Sequence, residues 1–293
     1  MRDYVQMHLV VIAWGFTAIL GMLIQIPVLE VVIWRTGLAA IGFAVVASVM
    51  RTKLKVARGP ALRLAANGAI LGAHWMLFFL GARLSTASVC LAAMPTAMLW
   101  CSLIEPLADG TRRWNKLEMI VGAVMVGAVW LIYHVEARYW LGFSVALIAA
   151  FLAAVFAVIN KQLVRRWHFS TIGTYQMSGA FVVTLAALPF FRPASGVLLT
   201  MPTAAQIGWL ALLAFGCTVA AYAGYMDALR RLSVFQVNVI YNMEPVYGIL
   251  LAAAIFGKRE LMSPGFYLGA GIILMIVVSM PWLRRWQIRQ DSL

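Results

Sequence analysis

The chain of 293 residues is 63% hydrophobic and only 11% charged, with a mean hydropathy of +0.90, a balance that does not supply a water-soluble surface. Ten apolar stretches of about 20 residues would take about two thirds of the chain, which leaves no room for a soluble catalytic domain. The formal net charge of +13 does not point to a nucleic-acid partner, because the basic residues lie mostly between apolar stretches, where they set membrane topology.

Apolar runs and their punctuation predict an all-α integral membrane protein with helices near 7–24, 29–50, 63–81, 85–105, 117–134, 139–161, 171–190, 206–228, 233–256 and 265–283. Helices are required because lipid offers the backbone no hydrogen-bond partner, and the segments lack the period-two alternation of a barrel. The amino terminus has no Ala-x-Ala cleavage signal and reads as a retained first span. Cys90, Cys101 and Cys217 all fall inside apolar runs, so neither a disulfide framework nor a metal-ligand spacing is present in the sequence.

The first helix carries Trp14 at mid-span, away from the interfacial belt, as a lid or stacking platform or as core packing. Arg35 lies about 9 Å inside the second helix and needs a partner; Glu30, snorkelling and a substrate carboxylate are the three readings. In the third helix His74 shares a face with Phe78, and either binds substrate, relays a proton or donates between helices. Pro95 interrupts the fourth helix, which ends at Glu105-Pro106, and Ala123-x-x-x-Gly127 lets the fifth approach a neighbour closely. Asn160 and Lys161 approach the inner end of the sixth helix and are expected to face water; Tyr175 and Gln176 form a polar pair in the seventh.

Thr218, Tyr222 and Tyr225 form one stripe of the eighth helix, and Asn238, Tyr241 and Asn242 one arc of the ninth, together read as cavity walls or as interhelical glue. Glu244 stands some 16 Å into the ninth helix, near the bilayer centre. An ionised carboxylate there is expensive unless a cation or water-filled cavity compensates, so the group is either a proton-coupling or amine-binding site or a protonated structural donor. Pro245 beside it frees the carbonyl near position 241 and, with Pro95, is expected to act as a hinge. Gly265-x-x-x-Gly269 assigns the tenth helix to scaffold packing. Asp227 near Arg230, and Glu260 near Lys258 and Arg259, read as interfacial charge pairs, while His8, His134 and His168 lie at or beyond helix ends.

Assigning loops to alternate sides tests this division. Seventeen of the 23 Lys and Arg residues fall on the side of the termini, in clusters at Arg51–Arg63, Arg112–Lys116, Lys161–Arg166, Arg230–Arg231 and Arg284–Arg289 with Arg2. Five fall opposite, at Arg83, Arg138, Arg192, Lys258 and Arg259. The bias places both termini in the cytoplasm. The chain also repeats weakly: Ala13–Leu23 overlays Ala153–Leu163, and Arg83-Leu-Ser85 and Arg231-Leu-Ser233 each precede a helix with an internal proline. A five-helix unit ends on the side opposite its start, so two copies, 1–136 and 137–293, would be inverted, as in alternating-access carriers.

Ala13-Trp-Gly-Phe16, Glu30 with Trp34-Arg35, His74-Trp75, and Asn242-Met-Glu-Pro-Val-Tyr-Gly248 followed by Phe256-Gly-Lys-Arg-Glu260 stand in an order that resembles the ten-helix EamA-type permeases of the drug/metabolite transporter superfamily. Met94 replaces the carboxylate in the first repeat, so any use of Glu244 would be asymmetric. The resemblance implies a carrier of the inner membrane that exports small metabolites, often amino acids or related compounds, without nucleotide or metal cofactor. Uptake or exchange on the same fold is the near alternative. A membrane-embedded enzyme is disfavoured because Gly-x-Ser-x-Gly and His-Glu-x-x-His are missing from the sequence, and an ATP-driven pump because a phosphate loop is missing. Both halves in one chain suggest a monomer whose partners are a small-molecule substrate and the bilayer.

Overall fold

In the computed structural model, residues 2–108, 116–164, 166–191, 199–228, 231–232 and 240–291 are described, and they contain helices and turns without a strand. The helices are α1 (Arg2–Leu23), α2 (Val28–Val49), α3 (Arg58–Leu84), α4 (Ala87–Ala93), α5 (Ala97–Ala108), α6 (Lys116–Val135), α7 (Trp140–Leu163), α8 (Phe169–Ala187), α9 (Ala204–Ala211), α10 (Ala221–Ala228), α11 (Glu244–Phe256) and α12 (Pro264–Asp291). A 3-10 turn at Met94–Thr96 joins α4 to α5, and a π-helical stretch at Leu212–Ala220 joins α9 to α10.

Among the described residues seven helical segments are long and apolar enough to cross a membrane, and Ile120–Val135 and Pro264–Ile276 are shorter apolar helices. The chain is therefore a multi-pass, all-helical membrane protein. The ninth expected helix is described only from residue 240 onward. There the backbone makes a turn at Asn242 and Met243, and α11 begins at Glu244 with Pro245 in its first turn. Pro245 thus opens a helix, where its missing N–H removes no intrahelical bond, instead of lying inside one. Pro95 falls in the 3-10 turn, so both prolines mark breaks in the helical path. The α5 helix continues through Pro106 to Ala108, past the expected end.

The core runs along the bundle between α1, α2, α3, α4, α7 and α12, with Leu20, Phe79, Leu91, Phe143 and Phe266 fully buried. Helices approach at glycine. A Cβ on Gly68 of α3 would stand 2.0 Å from the Gln176 carbonyl oxygen, and one on Gly179 of α8 would stand 2.1 Å from that of Ala65. Backbone meets backbone there, so the two glycines admit no side chain. The same holds more loosely where Gly15 of α1 faces the Glu244 carbonyl and Gly248 of α11. Gly265 and Gly269 seat α12 on Val135, Ile132 and Ala128 of α6, as the small-residue spacing predicts, whereas a Cβ on Gly127 would meet nothing within 4 Å and the Ala123/Gly127 spacing makes no such seam.

Carboxylates fasten the end of the bundle opposite the basic loops. Glu260, fully buried, accepts hydrogen bonds from the backbone N–H groups of Ala87 (3.2 Å) and Ser88 (2.8 Å) and so caps α4. The expected interfacial pairing with Lys258 and Arg259 is overturned, because four orphan amides at a buried helix start need an acceptor more than two solvated cations do. Glu136 likewise accepts from the Ser263 N–H (2.8 Å) just ahead of α12, while Arg83 donates to the carbonyls of Gly21, Ile24 and Ile26 at the end of α1. At the other end Arg231 bridges Asp3 (2.6 Å) and Asp227, tying α1 to the residues after α10. Arg230, the expected partner of Asp227, lies outside the described residues.

Candidate functional site

Two clusters form between the helices that the sequence singled out. The first is aromatic and acidic. Trp14, about 18 Å along α1, meets Tyr225 and Tyr241 with ring centroids 5.5 Å away in each case, and Tyr222 lies 6.4 Å beyond Tyr225. Gly15 directly after Trp14 packs on the Glu244 backbone, so the carboxylate stands level with this aromatic wall. Glu244 lies about 18 Å from the far end of α11 and is half-buried, with Tyr241 and Cys90 in its surroundings. Among the described residues its carboxylate makes no hydrogen bond or ion pair. Asn242 is half-buried in the turn before it, and Tyr241 is 44% exposed despite the Trp14 edge contact. Asn238 lies outside the described residues.

The second cluster surrounds Arg35. Its guanidinium is stacked 3.7 Å over the Trp75 ring and 5.7 Å from Phe79, and its Nε donates to the Thr218 hydroxyl (3.0 Å). Thr218 donates in turn to the Leu213 carbonyl (2.8 Å), five residues back along the π stretch. That bond fixes which way the hydroxyl points and leaves a lone pair for Arg35. Glu30 is not the partner of Arg35: it accepts from the N–H (2.8 Å) and hydroxyl (3.3 Å) of Thr200. Five residues along a helix turn a side chain well away, and a loop amide within reach is the better directed donor.

His74 is within electrostatic range of Arg35, and its Nδ1 lies 2.8 Å from the Ala149 carbonyl of α7. A carbonyl only accepts, so Nδ1 carries the hydrogen and the ring links α3 to α7, the interhelical reading of this histidine. Phe78 packs in the main core beside His74, with its carbonyl 3.2 Å from the Cys90 sulfur. Asn160, expected in water, instead accepts from Gln176 (2.9 Å). It also lies beside the buried Tyr222 hydroxyl. His8 meets the Tyr247 hydroxyl (2.7 Å), and His134 stacks on Trp130 at 4.6 Å.

A separate groove of about 430 Å³ runs along the outside of α1 against the π stretch and α10, lined by Val5, Leu9, Ala13, Gly216 and Ala220 among others. It contains none of the residues of the two clusters. Of the residues that hold Arg35, Trp75 stood in the His74-Trp75 string and Thr218 in the stripe of the eighth helix, while Phe79 carried no sequence signal beyond lying in an apolar helix. No group of three or more His, Cys, Asp or Glu suited to a metal occurs among the described residues.

Residues 140–280, from the start of α7 into α12, match the EamA-like transporter family. The second half of the chain is an EamA-like transporter domain. That family belongs to the drug/metabolite transporter superfamily, whose members are transporters. The fold is similar to that of a solved structure titled only "Crystal structure of protein", with a TM-score of 0.65 at 12% identity over 96% of this chain and 98% of that one. At that identity the likeness concerns the fold alone. No curated protein matches the sequence.

Proposed function

We propose that this EamA-type transporter is a secondary carrier that exports a small organic metabolite, an amino acid or related compound in the first place, by proton-coupled alternating access. The observation that carries the reading is Glu244: a carboxylate near mid-membrane, unpaired among the described residues, partly accessible and level with the wall of Trp14, Tyr225 and Tyr241. Such a group gains and loses a proton with the hydration of its cavity, which is the property a coupling site needs. Outward direction rests on the family resemblance.

Two inverted halves, 1–136 and 137–293, supply the moving parts. Contacts between helices support this division, because exchanging the halves preserves their pattern. The packing of α1 on α11 corresponds to that of α7 on α4 and α5, and the packing of α1 on α10 and the π stretch to that of α7 on α3. The pairs α2 with α8, α4 with α11, and α6 with α12 map onto themselves. The breaks at Pro95 and Pro245 fall in equivalent elements and serve as hinges. The basic loops and both termini face the cytoplasm of the inner membrane, and a single chain suffices.

Purified protein in liposomes with an imposed pH gradient tests the reading, with a panel of radiolabelled amino acids as cargo. The native chain accumulates cargo against its gradient, whereas Glu244→Gln loses gradient-driven accumulation at least tenfold and keeps exchange at equal pH. Equal accumulation by both proteins would remove Glu244 from coupling.

A further inference from the structure

Arg35 is 3% exposed and about 10 Å inside α2, where a full positive charge requires a counterion. Among the described residues none is placed beside it. Of the ten acidic residues in the sequence, seven are described, and each is placed elsewhere. Glu30 is held by Thr200, Glu136 and Glu260 by helix starts at the far end, Asp3 and Asp227 by Arg231, and Glu105 lies beside Lys161. Glu244 is surrounded by Tyr241 and Cys90, and the ionisable groups around Arg35 are Cys217 and His74. Stacking on Trp75 replaces only part of the lost hydration of a guanidinium.

Its hydrogen bonding is also incomplete. Nε is engaged by Thr218, but Nη1 is buried with no acceptor, an arrangement whose cost calls for a missing partner. Trp75 covers one face of the planar group and Thr218 takes one edge, so an acceptor in the plane, on the Nη side, completes the fork. A carboxylate is the group whose two oxygens match that fork. Thr218 itself lies in a π-helical stretch, a distortion frequently found at functional sites.

We propose that Arg35, positioned by Trp75 and Thr218, binds the anionic group of the transported molecule, so that the cargo is an organic carboxylate, either a simple acid or the acid end of an amino acid. The inference rests on the central carrier site proposed above, but it concerns binding at equilibrium and requires no proton coupling.

The test measures thermal stabilisation of the detergent-solubilised full chain by acetate, hexanoate, 3-phenylpropionate, L-phenylalanine and L-glutamate, each beside its amide, at one pH and fixed chloride. At least one acid is expected to bind the native chain more tightly than its amide, by about 10- to 100-fold for a lost charge-assisted fork. Arg35→Met abolishes that preference, Arg35→Lys retains a weakened one because it keeps the charge without the fork, and Gly127→Ala, whose Cβ meets nothing within 4 Å, retains it fully. Should Arg35→Met not fold, the weakened preference in Arg35→Lys carries the comparison. The proposal is overturned if no acid outperforms its amide, if the Arg35 variants keep the native preference, or if a chloride titration alone reproduces the Arg35-dependent shift. A normal preference in Glu244→Gln together with failed pH-driven transport would separate this site from the coupling mechanism.

Discussion

Substituting Gly68 by alanine drives one methyl carbon into the backbone of α8. The added Cβ would stand 2.0 Å from the Gln176 carbonyl oxygen and within 2.6 Å of two further backbone atoms, where ordinary contact begins at 3.4 Å. No rotamer relieves this, because both parties are backbone. The helices must part by more than 1 Å, and a radial gap of 0.5–1 Å already forfeits a quarter to a half of each dispersion contact. Overpacking of this kind costs about 1–3 kcal/mol and, with rigid backbone on both sides, belongs at the upper end. Thermal unfolding in one detergent, with Gly127→Ala as the control whose Cβ meets nothing, reads the difference. Gly179→Ala, which would place its methyl 2.1 Å from the Ala65 carbonyl oxygen on the same seam, should cost much less in the Gly68→Ala background than alone, since the first separation makes room for the second. A melting temperature for Gly68→Ala equal to that of Gly127→Ala would refute the reasoning.

Two other outcomes follow from the bundle ends. Removing the Glu260 carboxylate by Glu260→Ala leaves the buried Ala87 and Ser88 amides without an acceptor, a loss of about 2–5 kcal/mol, whereas Glu260→Gln keeps one acceptor and loses about half as much; equal losses in chemical unfolding would count against the cap. At the opposite end, hydrogen bonds from Arg231 to Asp227 and then Asp3 raise the arginine pKa above its ordinary value. A raised cation pKa contributes stability that is complete below the unfolded value and lost only as pH rises through the folded one, so the tie persists through neutral and moderately alkaline pH. It faces solvent, however, and salt screens it. Hydrogen exchange at the start of α1 should therefore speed up in 1 M salt and in Asp227→Asn, but not between pH 7 and 9 after correction for the intrinsic rate.

Membrane class and the all-helical fold were legible because hydropathy and the spacing of charged residues are local signals. Arg35 was visible as too deep for a loop charge, and Glu244 as too deep for an idle carboxylate. Their surroundings were not. Thr218 lies 183 positions from Arg35, so sequence proximity favoured Glu30, which a loop amide 170 positions away had claimed. Glu260 looked interfacial beside two cations, yet the amides it serves belong to a helix start 172 positions earlier. Phe78 shared the face of His74, but a helix face does not reveal whether it meets a cavity or a neighbouring helix. The π stretch had no sequence mark at all, and it sets the direction in which Thr218 points.

The carboxylate fastenings at the end away from the basic loops have a reciprocal design. Glu260 reaches from the second half to amides of the first, and Glu136 reaches from the first half to the Ser263 amide of the second. The two halves of the chain are thus tied in both directions at one end of the bundle, each by a carboxylate on a backbone amide of the other. On the alternating-access reading proposed above, parting them at that end would withdraw an acceptor from each amide, so water would have to enter as the ties separate.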